Sequence, residues 1–181
     1  MSRQLVVVDI ETTGLQHNAA ILEIAAVNVD TGEEFYFVPY VDGEKFKWAE
    51  AKALQINRYF ERGVFKDMRS QEETRKYYYP RLRSMLEGNT FGGSNPTFDS
   101  ARLTMIGNVW HHRLADLAAY AAGVLGIDPT ESPGAAKVCE MLGVVNECEH
   151  SALEDARATA ECFRRLRTRR ALQSQGEVPH D

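Results

Sequence analysis

Long apolar runs are missing from this 181-residue chain. No stretch approaches the roughly 20 apolar residues of a membrane span. The start, MSRQLVVVDIE, reaches acids after a few apolar residues, a pattern that excludes a signal peptide. Cysteine is scarce. Cys139, Cys148 and Cys162 are odd in number and lack metal-site spacing, so reduced thiols in a cytoplasmic setting are expected. Net positive charge is missing as well: 21 Lys and Arg against 26 Asp and Glu leave −5, which argues against simple nucleic-acid binding by bulk charge. There are no repeats, low-complexity tracts or linkers. A chain of this length, 44% hydrophobic, is expected to fold as one domain around one sizeable core.

Charge is nevertheless unevenly placed. Between Lys45 and Arg83 eleven Lys and Arg face five Asp and Glu, a local net of +6. Phe46, Trp48, Tyr59, Phe60, Phe65 and the run Tyr77–Tyr79 are interleaved with them. Bases stack on aromatic rings and phosphates need cations. Two amphipathic helices with solvated faces account for the same composition, so both readings stand.

Leu5–Ile10 reads as a fully buried strand, too short and too β-branched for a helix. AAILEIAAVNV and EFYFVPY, joined at Asp30-Thr31-Gly32, read as a hairpin, with Pro39 ending its second arm or lying on an edge. Trp48 to Glu87 has a helical pattern interrupted near Gly63. NTFGGS is a short strand stopped by Asn95-Pro96. Asp116 is expected to cap an Ala-rich helix, Gly126 to Pro133 is loop-like, and GAAKVCEMLGV is a short helix. A long helix runs from Ser151 to about Arg170, and residues 171–181 read as a disordered tail. This order implies an α/β fold, a mixed central sheet of about five strands with helices on both faces.

The apolar strand closes on Asp9 and Glu11, and a carboxylate at the mouth of a buried strand is costly unless compensated. Two further acids join them. In SNPTFDS, Asn95 suits an N-cap and Pro96 the first helical position, so Asp99 falls in the first turn of a helix after a strand. In EHSALEDARATA, Ser151 and Glu154 have capping-box spacing. His150 then precedes the cap and Asp155 is the fourth helical residue, the two positions that meet in a hydrophobic staple. Strand ends and helix starts can converge on one sheet edge. Carboxylates 5–6 Å apart would cost roughly 3 kcal/mol per pair at an effective dielectric near 20. Such a cluster must protonate or hold cations, and an all-carboxylate set selects hard ions, Mg²⁺ or Mn²⁺.

The motifs D-x-E-T-T-G at Asp9–Gly14, N-P-x-F-D at Asn95–Asp99 and H-x-x-x-x-D at His150–Asp155, in that order, resemble the DEDDh group of 3′→5′ exonucleases. That group belongs to the proofreading-exonuclease superfamily on the ribonuclease H-like fold. The resemblance extends from about Leu5 to Leu166. It implies an exonuclease domain over residues 1–170 that releases nucleoside monophosphates from a 3′ end, single-stranded DNA being the expected substrate. It also implies that Asp9, Glu11, Asp99 and Asp155 bind two divalent ions, Mg²⁺ or Mn²⁺, with His150 as general base. Thr12, Thr13, Gly14 and Leu15 would then contact the 3′-terminal nucleotide, with Asn95 and Phe98 lining the same site. An RNA-trimming enzyme is the alternative, since only the 2′-hydroxyl separates the two; a non-catalytic binding module fits the clustered charge less well. The implied partner is nucleic acid with a free 3′ end, and no membrane. A homodimer or a polymerase association is left open, and a cytoplasmic location is expected. His111 and His112 are expected at the surface or in the core, and Glu23 is expected to hydrogen-bond locally. The arginines from Arg164 to Arg170 are expected to form a solvated helix end.

Overall fold

The computed structural model describes residues 2–176. Five strands, β1 Leu5–Thr12, β2 Ile21–Asn28, β3 Glu34–Phe37, β4 Thr90–Gly93 and β5 Ala115–Asp116, form one mixed sheet in the order β3-β2-β1-β4-β5. The hairpin pairs β2 and β3 antiparallel, and Gly32 takes the left-handed conformation its turn requires (φ 77°). β1 pairs antiparallel with β2 and parallel with β4, while β4 pairs parallel with β5.

Alternation along β1 explains the layers. Leu5 and Val7 pack on one face against α5 Leu117–Leu125, α6 Ala135–Leu142 and α7 Ala152–Ser174. Val6, Val8 and Ile10 pack on the other against α3 Tyr79–Leu86 and the segment around α4 Pro96–Arg102. Both faces are covered, so the strand is apolar from Leu5 to Val8, before its acids begin. β1 runs to Thr12 rather than stopping at Ile10, and both acids therefore lie within the strand. Asp116 caps α5 as expected, its side chain accepting from the Ala119 N–H at 2.8 Å.

The Trp48–Glu87 pattern resolves into short pieces rather than two helices. After a 3₁₀ turn at Gly43–Trp48 come α1 Ala51–Ile56, another 3₁₀ turn at Val64–Asp67, α2 Gln71–Glu73, a π-helical turn at Thr74–Tyr78, and α3. The backbone itself forces the breaks: Gly63 and Arg58 are left-handed (φ 71° and 52°), and Ala49 and Met68 are extended. Phe46, Tyr59, Phe60 and Phe65 gather into one aromatic cluster there.

α7 continues to Ser174, past the expected end near Arg170, and Gln173 is anchored to the Val124 carbonyl at 3.2 Å. Residues 177–181 of the expected tail lie outside the described residues. The helix arginines are not merely solvated: Arg164 donates to the Val29 carbonyl and Arg167 pairs with Asp30, tying α7 to the β2–β3 turn. Among the described residues no helix is long and apolar enough to cross a membrane.

Candidate active site

Three elements deliver the acids. Asp9 and Glu11 alternate on β1 and so share the face that looks toward α7, which carries Asp155 in its first turn. The β1–β2 register shifts between Glu11 and Thr12, at the end of the strand that carries both acids. Asp99, on α4 beyond the carboxyl end of β4, accepts from the Ile10 N–H at 3.0 Å and so joins the same edge. Ligand atoms of Glu11, His150 and Asp155 all lie within 4.8 Å of one another. Asp9, His150 and Asp155 also line a cavity of about 500 Å³ together with Ser94, Asn146 and Thr159.

Proton affinity reports the crowding. Burial pushes Glu11 up to about 8, with Asp155 and Glu23 adding repulsion and Arg62 opposing it. Burial likewise raises Asp99 to about 7 against the hydrogen bond from Ile10. Asp9 stands well above the usual carboxylate range, first through burial and then through Asp99, Asp155 and Glu11. Asp155 is raised by burial, and the Asn146 amide and the His150 N–H that it accepts hold the rise in check. Several half-buried carboxylates with no thiolate among them fit divalent cations with oxygen ligands.

His150 is exposed and left-handed (φ 62°), a conformation that costs a non-glycine residue on the order of 1–3 kcal/mol. It is pinned from both sides: its N–H donates to Asp155 Oδ2 at 3.1 Å, and its carbonyl accepts from Arg62 at 3.3 Å. His150 and Asp155 therefore meet as the register requires, but not through a capping box. Ser151 occupies the N-cap position without a side-chain bond. Glu154 turns instead to Arg157, which is held by Glu34 of β3. Asn95 likewise sits at the α4 N-cap with no side-chain cap bond. Its carbonyl, not its amide, accepts from the Phe98 N–H, and Pro96 takes the first helical position.

The Thr12–Leu15 segment is braced from within. The Thr12 hydroxyl donates to the Gly14 carbonyl at 2.7 Å, and that of Thr13 accepts from Ala20 N–H at 2.9 Å. Gly14 is not required by φ, and a Cβ there would meet only the flexible ends of Gln16 and Glu50, which could swing aside. Leu15 is 75% exposed. Phe98 is half-buried beneath the Arg102 guanidinium, 3.5 Å from its centroid, and Arg102 also donates to the Leu15 carbonyl. The His111 and His112 rings lie 4.2 Å apart, tilted by 39°, and the His111 N–H donates to the Asn89 carbonyl just before β4, at the end of that strand opposite Asp99.

Sequence reasoning missed Asn146, Arg62 and the role of Glu23. Glu23 is wholly buried on β2, opposite Glu11, and it binds Arg62 and the Tyr36 hydroxyl. A glutamate inside an otherwise apolar strand was the available signal.

This sheet order, with helices on both faces and four carboxylates and a histidine at one edge, defines a class: a DEDDh-type 3′→5′ exonuclease on a ribonuclease H-like fold. The chain belongs to the RNase_T exonuclease family, whose pattern matches residues 6–163. It is 28% identical over 170 residues to the PolC-type DNA polymerase III of Thermotoga maritima, covering 89% of this chain and 12% of that one. Product-bound exonuclease I superposes with a TM-score of 0.70 at 15% identity, covering 94% of this chain and 45% of the other. The zinc-bound E. coli exonuclease I–ssDNA complex gives 0.69 at 17%, covering 93% and 41%. The chain thus spans about an eighth of the polymerase and under half of exonuclease I.

Proposed function

We propose that the protein removes nucleoside monophosphates one at a time from the 3′ end of single-stranded DNA. In this reading Asp9, Glu11, Asp99 and Asp155 hold two divalent ions, Mg²⁺ or Mn²⁺, and His150 is the general base. The observation that carries it is the convergence of four carboxylates from β1, α4 and α7 whose proton affinities are all raised. Such a cluster is stable at neutral pH only with protons or cations. Bound ions would supply Lewis acidity and charge neutralisation at the scissile phosphate.

The chain's own groups supply the rest. The His150 imidazole, exposed beside Glu11 and Asp155, accepts a proton from the attacking water, the task for which imidazole suits neutral pH. Asp155 orients that segment by accepting the His150 N–H. Leu15 and Phe98 offer apolar surface for the terminal base, and the braced Thr12–Gly14 backbone fixes where Leu15 stands. The preference for single strands is supported by the exonuclease I–ssDNA complex among the structural relatives.

The test uses one sequence as 5′-end-labelled single-stranded DNA, duplex DNA and RNA, with Mg²⁺, Mn²⁺ or EDTA. The labelled single strand should shorten progressively from its 3′ end with either metal and remain intact in EDTA. Full activity in EDTA, or release of the label in the first products, would overturn the reading.

A further inference from the structure

We infer that Arg62 is a positioning residue that straps the His150 segment to the sheet, with the buried carboxylate of Glu23 as its anchor. The inference rests on the proposed role of His150 as base. Glu23 points into the interior from the middle of β2 and is fully buried, its Cα opposite that of Glu11. A lone carboxylate there would be an uncompensated buried charge. Arg62 compensates it with two guanidinium nitrogens, and Tyr36 Oη donates to Glu23 Oε2 at 2.9 Å. Arg62 Nε donates to the Asn57 carbonyl at 2.9 Å, and the Asn57 amide donates to the Thr12 carbonyl at 3.1 Å. The guanidinium is thus held in one plane by three hydrogen bonds to two residues, Glu23 and Asn57.

One nitrogen then has a further acceptor, the His150 carbonyl at 3.3 Å. Nothing in the folding of β2 requires this last bond. It falls on the one site residue with a left-handed backbone, φ 62°, a conformation that persists only where neighbours hold it. The Asp155 carboxylate fixes the N–H of His150 and Arg62 fixes its carbonyl, so the peptide units on both sides are held. Arg62 does not itself line the cavity; it touches the site at the His150 carbonyl, and its charge, which lysine would keep, also bears on Glu11. Only a planar fork can satisfy Glu23, Asn57 and His150 at once; a lysine ammonium would keep the charge beside Glu23 and lose the strap.

Arg62→Lys separates the two duties. With end-labelled single-stranded DNA and saturating Mn²⁺, kcat should fall about 10–100-fold, the usual range for residues that orient a site's ligands and bases. KM and the Mn²⁺ dependence should stay at wild-type values. The chain has five histidines, so the His150 Cε1–H resonance is assigned as the line missing from His150→Ala. That line should move or broaden in Arg62→Lys. In case the lysine variant fails to fold, Glu23→Gln/Arg62→Gln removes both charges together, which a fold tolerates better than removing one. It should show the same loss of kcat and the same change in the His150 line. Wild-type kcat in the folded variant, or a fall in kcat with an unmoved His150 line, would overturn the inference. Metal-independent activity in the wild type would instead overturn the proposed function, and the two failures are distinct.

Discussion

Removing divalent ions and raising the pH from about 5 to about 8 should destabilise the fold. Glu11 and Asp99 are raised by burial to about 8 and about 7, and Asp9 and Asp155 are raised as well. Across that window the folded state therefore holds more protons than the unfolded one, and stability falls as pH rises. Each fully titrating group contributes about 1.4 kcal/mol per pH unit. Over about three units Glu11 alone would give about 4 kcal/mol, reduced here to about 2 because solvent reaches the half-buried group and the cluster shares protons. For a chain of this size that is a fall in Tm of about 4–8 °C. Carboxylates with the opposite sign, such as Glu34 and Glu161, held low mainly by their arginine partners, contribute fully once the pH exceeds their unfolded values. They are therefore constant across the window. Millimolar Mn²⁺ at about 100 times Kd would return about 2.7 kcal/mol and flatten the profile. Asp9→Asn should raise the Tm of the EDTA form at the alkaline end. Melting followed by circular dichroism, in EDTA and in Mn²⁺, measures all of this. A Tm in EDTA that stays level or climbs across the window would mean that the carboxylate cluster takes up no extra protons on folding.

His150→Ala should lower kcat by about 10²–10⁴-fold while keeping the Mn²⁺-induced rise in Tm. Loss of that rise would make His150 a ligand, a role its proximity to Glu11 and Asp155 also permits. Leu15→Ala should raise KM for single-stranded DNA and leave Tm unchanged, since the side chain is 75% exposed; an unchanged KM would remove Leu15 from the substrate path. Asp116→Ala should cost about 1 kcal/mol in urea unfolding, as for any functioning N-cap. Ser151→Ala, where the hydroxyl makes no cap bond, should cost clearly less, and equal losses would restore the capping box.

The acids were legible because each is fixed by a local rule. Alternation puts Asp9 and Glu11 on one face, Pro96 at the first helical position sets the register of Asp99, and helix phase sets Asp155 against His150. The hairpin was legible through its glycine turn, and the sheet through the unbroken apolar run of β1. What failed was chemistry decided by distant partners. Glu154 has the spacing for a capping box, but Arg157, fixed by Glu34 more than a hundred residues away, takes its carboxylate. Arg62 and Glu23 lie 39 residues apart with nothing local to link them. The broken helices between Gly43 and Leu86 follow from left-handed residues and aromatic packing, neither of which a helical period reveals.

The central claim is that the clustered carboxylates exist to hold divalent ions. Calorimetric titration of the EDTA-stripped protein with Mn²⁺ at neutral pH tests it most directly, with Asp9→Asn beside the wild type. Two ions should bind per wild-type chain, with proton release on binding from Glu11 and Asp99, and binding should be weakened or incomplete in the variant. No binding by the wild type, or identical isotherms for the two proteins, would contradict it.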